Sequence, residues 1–224
     1  MKNKTAIIAS LCLTAVYAAD KGPVARMNAA AGTFMEIMGS ADKAIPQDLL
    51  DRSACIVIVP GLKKGAFIFG GKYGKGFISC RKENGVGWSA PGAVRVEGGS
   101  FGFQIGGAET DVVMLVLNRG GVDRLLGSRF TLGADASVAA GPVGRDASAQ
   151  TDARLTAEIL TYSRQRGVFA GVSLQGATMR EDDDWNKAMY GSEMHNKAIV
   201  LGTGAPPAGS EKLLAALNKY SGRK

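Results

Sequence analysis

Glycine is distributed through this chain in a way that restricts its fold more than any other feature. There are 31 glycines in 224 residues, and they interrupt apolar, β-branched segments instead of collecting in one linker. Inside a regular strand glycine loses much conformational entropy and offers no side chain to pack. Its repeated use there implies sharp bends, bulges or backbones in close approach. The expected class is α+β: a glycine-rich, strongly curved antiparallel β-sheet or small barrel, with N-terminal and C-terminal helices packed on it.

The periodicities fill in this outline. Val24, Met27, Ala31, Phe34 and Met38 recur at spacings of three and four, which predicts an amphipathic helix over 23–38 stopped at Gly39. Pro46 opens a second, short helix. From Cys55 the pattern turns to β: residues 55–59 form an apolar run ending at Pro60-Gly61, which reads as a buried strand and a turn. Strands are expected at 66–69, 76–80, 93–96, 101–105 and 111–118, then again within 131–138, 155–163 and 168–179. Helical segments are expected at 120–127, at 182–190 before Gly191, and at 211–220 with Leu213, Leu214 and Leu217 on one face.

The N-terminus, Met1-Lys2-Asn3-Lys4 followed by an apolar run over 6–16, has a signal-peptide layout and is too short to span a bilayer. Cleavage is expected after Ala18 or Ala19, leaving one domain over 19–224 in a periplasmic or secreted location, peripheral on a membrane surface. Cys55 and Cys80 then either pair, if their strands lie side by side, or stand as two small buried side chains. The formal charge of +7 directs an exported chain toward acidic partners such as phospholipid head groups, and its compartment excludes nucleic acid.

Catalytic patterns are weak. Gly98-Gly99-Ser100-Phe101-Gly102 matches G-x-S-x-G, and Ser100 precedes the only histidine, His195, in hydrolase order. The segment after Ser100 alternates as a strand, where a nucleophile elbow needs a helix. A Ser100 hydrolase is therefore a remote alternative. Asp182-Asp183-Asp184 with Glu193 loosely matches a calcium loop, but Lys187 occupies the position that needs glycine, and acids at a helix N-terminus are the simpler reading. The glycine runs at 70–76 and 85–90 lack the spacing or the following helix of nucleotide sites. No enzyme activity, metal or cofactor is expected.

Cations stand out instead. Lys63, Lys64, Lys72, Lys75, Arg81 and Lys82 fall between Pro60 and Glu83 with no acid among them, interleaved with Phe67, Phe69, Tyr73 and Phe77. Such a hairpin suits an anionic membrane interface, or is a solvated hairpin whose aromatics are core. The Met27, Phe34 and Met38 face of the first helix likewise fits either lipid or the sheet.

Several strings resemble one family: residues 58–67 (Ile-Val-Pro-Gly-Leu-Lys-Lys-Gly-Ala-Phe), 98–107, 126–128, 133–144 and 162–174. In this order, over about 28–202, they are similar to the SYLF domain, the yeast-type actin-binding and lipid-binding module. The resemblance implies non-enzymatic binding of anionic phospholipid with phosphoinositide-type head groups, through an N-terminal amphipathic helix (Met27, Phe34, Met38) and basic residues (Lys63, Lys64). Actin binding, described for fungal members, is not expected of an exported chain. The alternative is an envelope structural or protein-interaction module.

Overall fold

The computed structural model describes residues 22–40, 44–66, 70–100, 106–127, 129–142, 157–165, 168–169, 174 and 176–221. Helices α1 (Gly22–Gly39) and α2 (Gln47–Arg52) lead into strands β1 (Cys55–Ala66), β2 (Gly70–Cys80), β3 (Gly92–Ser100) and β4 (Gly106–Val116). Helix α3 (Arg119–Leu125) and the short strands β5 (Phe130–Thr131) and β6 (Val138–Ala140) follow, then β7 (Ile159–Gln165), β8 (Val168–Phe169) and β9 (Thr178–Glu181). Helices α4 (Asp183–Tyr190), α5 (Asn196–Leu201) and α6 (Glu211–Ser221) close the sequence of elements.

All nine strands join one sheet in the order β5-β9-β3-β2-β1-β4-β7-β6, with β8 on β7. It is strongly curled, an open half-barrel with helices from both terminal regions packed on it, as the glycine pattern predicts. Its pairings are antiparallel except β6 on β7, which is parallel. β1 lies in the middle, and its residues 55–59 are buried on both faces, which explains their unbroken apolar run. Cys55, Val57, Val59 and Leu62 join Val94, Met114, Phe130 and Met179 in the core inside the curl. Ile56 and Ile58 join Met27, Phe34, Ile37, Val113, Leu115, Leu213 and Leu217 in a second core, under α1 and α6.

Pro60-Gly61 does not end β1. One extra residue is accommodated between Val59 and Leu62 against β4, and between Ile58 and Lys63 against β2. Gly61 takes φ +58, and its N–H donates to Asp111 Oδ1 at 2.9 Å. The pair forms a β-bulge, the setting in which proline is tolerated inside a sheet. Arg26 of α1 donates to the Pro60 carbonyl at 2.9 Å, and Arg164 of β7 pairs with Asp111 at 2.8 Å and with Glu36 of α1. The bulge is thus where α1 is polar-bonded to the sheet. Facing it, Gly76 of β2 approaches so closely that a Cβ there would lie 2.1 Å from the Ile58 carbonyl oxygen and 2.8 Å from Val59 Cα.

Cys55 and Cys80 are register partners on β1 and β2 and form a disulfide. The side-by-side alternative from the sequence is the one realised. The strand expected over 131–138 is instead β5, a turn with Gly133 at φ +85, and β6. Asp135 drives that turn by accepting the Thr131 N–H at 2.6 Å. The expected strand at 101–105 and much of 168–179 lie outside the described residues.

Candidate functional site

The six cations of 63–82 do not make one patch. Lys72 and Lys82 stand ten positions apart along β2 and its turn, roughly 30 Å at strand rise. Lys63, Lys64 and Lys72 lie at one end of the hairpin, and Arg81 and Lys82 at the other. The extended hairpin thus places these cations in two groups.

At the first end, Lys64 and Lys72 are direct cross-strand partners. In the next strands the same row continues to Ala108 on β4 and Gly98 on β3. One row across four strands therefore reads Ala, Lys, Lys, Gly, on the face that carries Leu62 and Val96 into the inner core. Both lysines are half-buried. Burial first, and then the charge of Lys72, hold the Lys64 ammonium below its ordinary pKa. Two cations thus sit side by side at the mouth of the curl, where the apolar core ends. On the other face Lys63 is exposed opposite Glu109 of β4 and opposite Tyr73 of β2, an exposed aromatic.

Two of the remaining predicted cations, Lys75 and Arg81, make contacts within the fold. Lys75 Nζ lies 3.0 Å from Asp182 Oδ2, an ion pair without hydrogen-bond alignment, and 4.3 Å above the Trp185 ring of α4. Arg81 stacks on Trp88 at 4.1 Å and donates to the carbonyls of Leu50, Ser53 and Ser221, so it joins the ends of α2 and α6. Lys82 is exposed in the turn before β3. Met27 and Phe34 are fully buried, Phe34 meeting Tyr220 edge-on at 5.9 Å, and Met38 packs half-buried on the same cluster. Of the two readings of this helix face, packing on the sheet is the one present in the fold. Phe77 stacks on Trp185, while Phe67 and Phe69 lie outside the described residues.

Sequence reasoning missed Arg95 and Arg180. β3 and β9 pair them in one row with Lys75, and Glu97 neutralises both, at 3.3 Å from Arg95 and 2.5 Å from Arg180. Residues 85 positions apart carry no local signal of such pairing.

The hydrolase alternative does not assemble. Val94 is the register partner of Glu181, which holds His195 Nδ1 at 2.8 Å. Ser100 is six residues further along β3, about 20 Å at strand rise. Asp182, which led the calcium-loop match, is buried and caps α4 by accepting the Trp185 N–H at 3.2 Å. Acids at a helix N-terminus are the correct reading, and Gly191 ends α4 at φ 73.

The described residues form a curled sheet with Lys64 and Lys72 paired side by side across β1 and β2. A family model described as "Ysc84: Las17-binding protein actin regulator" matches residues 97–220. The chain is 39% identical over 182 residues to the SH3 domain-containing protein PJ696.02 of Schizosaccharomyces pombe, covering 80% of this chain and 42% of the relative. It is 37% identical over 182 residues to LAS seventeen-binding protein 3 of Saccharomyces cerevisiae, covering 79% and 39%. It is 32% identical over 181 residues to human SH3 domain-containing YSC84-like protein 1, covering 80% and 52%. The chain belongs to the Ysc84 family, whose shared unit is the SYLF domain. It spans about two fifths to one half of the length of these curated relatives.

The relatives overturn one expectation. They are SH3-domain and Las17-binding proteins of yeasts and mammals, not exported envelope proteins, and the periplasmic or secreted location is withdrawn. That location rested on one short apolar run within residues 1–18, which lie outside the described residues. The exclusion of actin rested on the same compartment and falls with it.

Proposed function

We propose that this chain is a non-enzymatic module that binds anionic phospholipid at a membrane surface, with Lys64 and Lys72 meeting the head-group phosphate and Lys63 and Tyr73 forming the rim. The observation that carries this reading is the row Ala108, Lys64, Lys72, Gly98 at the mouth of the curl. It pairs two cations in partial burial and flanks them with the smallest side chains, so an anionic oxygen can reach both. Phosphoinositide-type head groups, with more than one phosphate, suit a pair of adjacent lysines best. No described helix is long and apolar enough to cross a membrane.

Each lysine near an anionic leaflet contributes about 1 kcal/mol. Replacing Lys64 and Lys72 by Gln should therefore weaken binding roughly 30-fold. Sedimentation with phosphatidylcholine vesicles, with and without phosphatidylserine or phosphatidylinositol phosphates, at low and high salt, tests it. Equal binding to neutral vesicles, or an unchanged affinity in the double variant, would refute the reading.

A second reading is favoured by the family description and by the relative named for Las17 binding. In it the domain binds an actin-regulating protein. Co-sedimentation with actin filaments in the absence of lipid separates the two.

A further inference from the structure

We propose that Glu181, Asp183 and His195 form a binding site for a first-row divalent cation of the Zn²⁺ class. One donor atom from each of the three lies within 4.8 Å of the other two. Zn²⁺ ligands at 2.0–2.2 Å stand about 3.3 Å from one another, so small side-chain rotations bring the three onto one ion. They come from three places that the fold unites: the last residue of β9, the first of α4 and the residue before α5.

The corner is built before any ion arrives. Glu181 Oε1 lies 2.8 Å from His195 Nδ1, and its Oε2 accepts the Asn196 N–H at 2.8 Å. Asn196 is itself buried, donating to the Ala93 carbonyl at 2.9 Å and accepting from Asn186 at 2.8 Å. These bonds fix both the carboxylate and the start of α5, the kind of outer support that orients metal ligands. Asp183 has no ion-pair or hydrogen-bond partner among the described residues, and Glu193 is occupied by Lys187 at 3.0 Å. A cation entering here displaces a single contact, that of His195 with Glu181. A shallow, open depression of about 670 Å³, lined by Glu181, His195, Lys197 and Leu201, lies beside the cluster and leaves room for water or an incoming ligand to complete the coordination.

The donor set selects the ion. An imidazole nitrogen with two carboxylates suits Zn²⁺ or Co²⁺, whereas Ca²⁺ requires six to eight oxygens. The site shares Asp183 with the calcium-loop match, but that match's leading residue, Asp182, faces inward to Lys75. It is independent of the lipid reading.

Calorimetric titration of the full chain with Zn²⁺ alone, and visible absorption with Co²⁺, test it against Ca²⁺ in parallel. The expected result is one saturable Zn²⁺ per chain, weakened at least about tenfold in His195→Ala and in Asp183→Asn, with the circular dichroism of both variants unchanged. Both substituted side chains are exposed, so the fold should survive. Absence of saturable Zn²⁺ binding, or an unaltered affinity in His195→Ala, would overturn the proposal, as would Ca²⁺ binding as tightly as Zn²⁺.

Discussion

Replacing Gly76 by alanine should damage this fold far more than the same change five residues earlier on the same strand. A Cβ at residue 76 would stand 2.1 Å from Ile58 O and 2.8 Å from Val59 Cα, both backbone atoms of the central strand. β1 cannot yield readily, because its other edge is held by β4 in unbroken register from Cys55 to Val59. Overpacking of this sort costs typically 1–3 kcal/mol, more when backbone must shift, and we expect about 3 kcal/mol. At Gly71 an added Cβ meets nothing within 4 Å, and φ is not positive. There, alanine should stabilise by about 0.5 kcal/mol through reduced freedom of the unfolded chain. Urea unfolding followed by the fluorescence of Trp88 and Trp185, both buried, measures the difference. With a slope near 2 kcal/mol per molar, the Gly76→Ala midpoint should fall by roughly 1.5 M. Coincident midpoints for the two variants would show that close approach at the bulge is not why glycine is present.

Other expectations concern the joints of the fold. Cys80→Ala removes a cross-link over a sequence separation of 25, and the chain-entropy relation gives a loss of about 3.5 kcal/mol. Oxidised and reduced wild type should differ by the same amount in urea. Asp182→Asn removes the buried carboxylate that lies 3.0 Å from the Lys75 ammonium, and should destabilise by about 3 kcal/mol while vesicle binding per folded molecule is unchanged. His195 is held above its ordinary pKa by the hydrogen bond and then the charge of Glu181, with Asp183 and Glu193 adding to it. A raised folded-state pKa stabilises below about pH 6.5 and ceases to do so as pH rises through the folded value. NMR titration should place the His195 midpoint above 6.5 and lower it in Glu181→Gln; an unmoved midpoint would refute the contact.

Much of this architecture is legible in the sequence wherever the cause is local. The three-and-four spacing from Val24 to Met38 gave α1, and Gly191 marked the end of α4 because a left-handed cap favours glycine. Glycine scattered through β segments gave the curl. What escaped was non-local. Pro60-Gly61 reads as a turn, and only neighbours on both sides make it a bulge. Arg95 and Arg180 meet through the β3–β9 register, and the basic string of 63–82 divides because an extended hairpin separates what the sequence lists together. α5 escaped because six residues show little periodicity and His195 supplies no side-chain cap.

The bulge also sets a reading frame. Before it the odd-numbered residues of β1, Val57 and Val59, point into the curl; after it the even-numbered Leu62 does. The bulge therefore decides which half of the Lys-Lys pair is inward. Lys64 joins Lys72 inside, and Lys63 is left with Tyr73 outside. If β1 kept every residue but paired without the bulge, plain alternation would turn Lys63 inward and Lys64 outward without altering either side chain, so the charge geometry at the mouth is encoded in backbone arithmetic as much as in the lysines themselves.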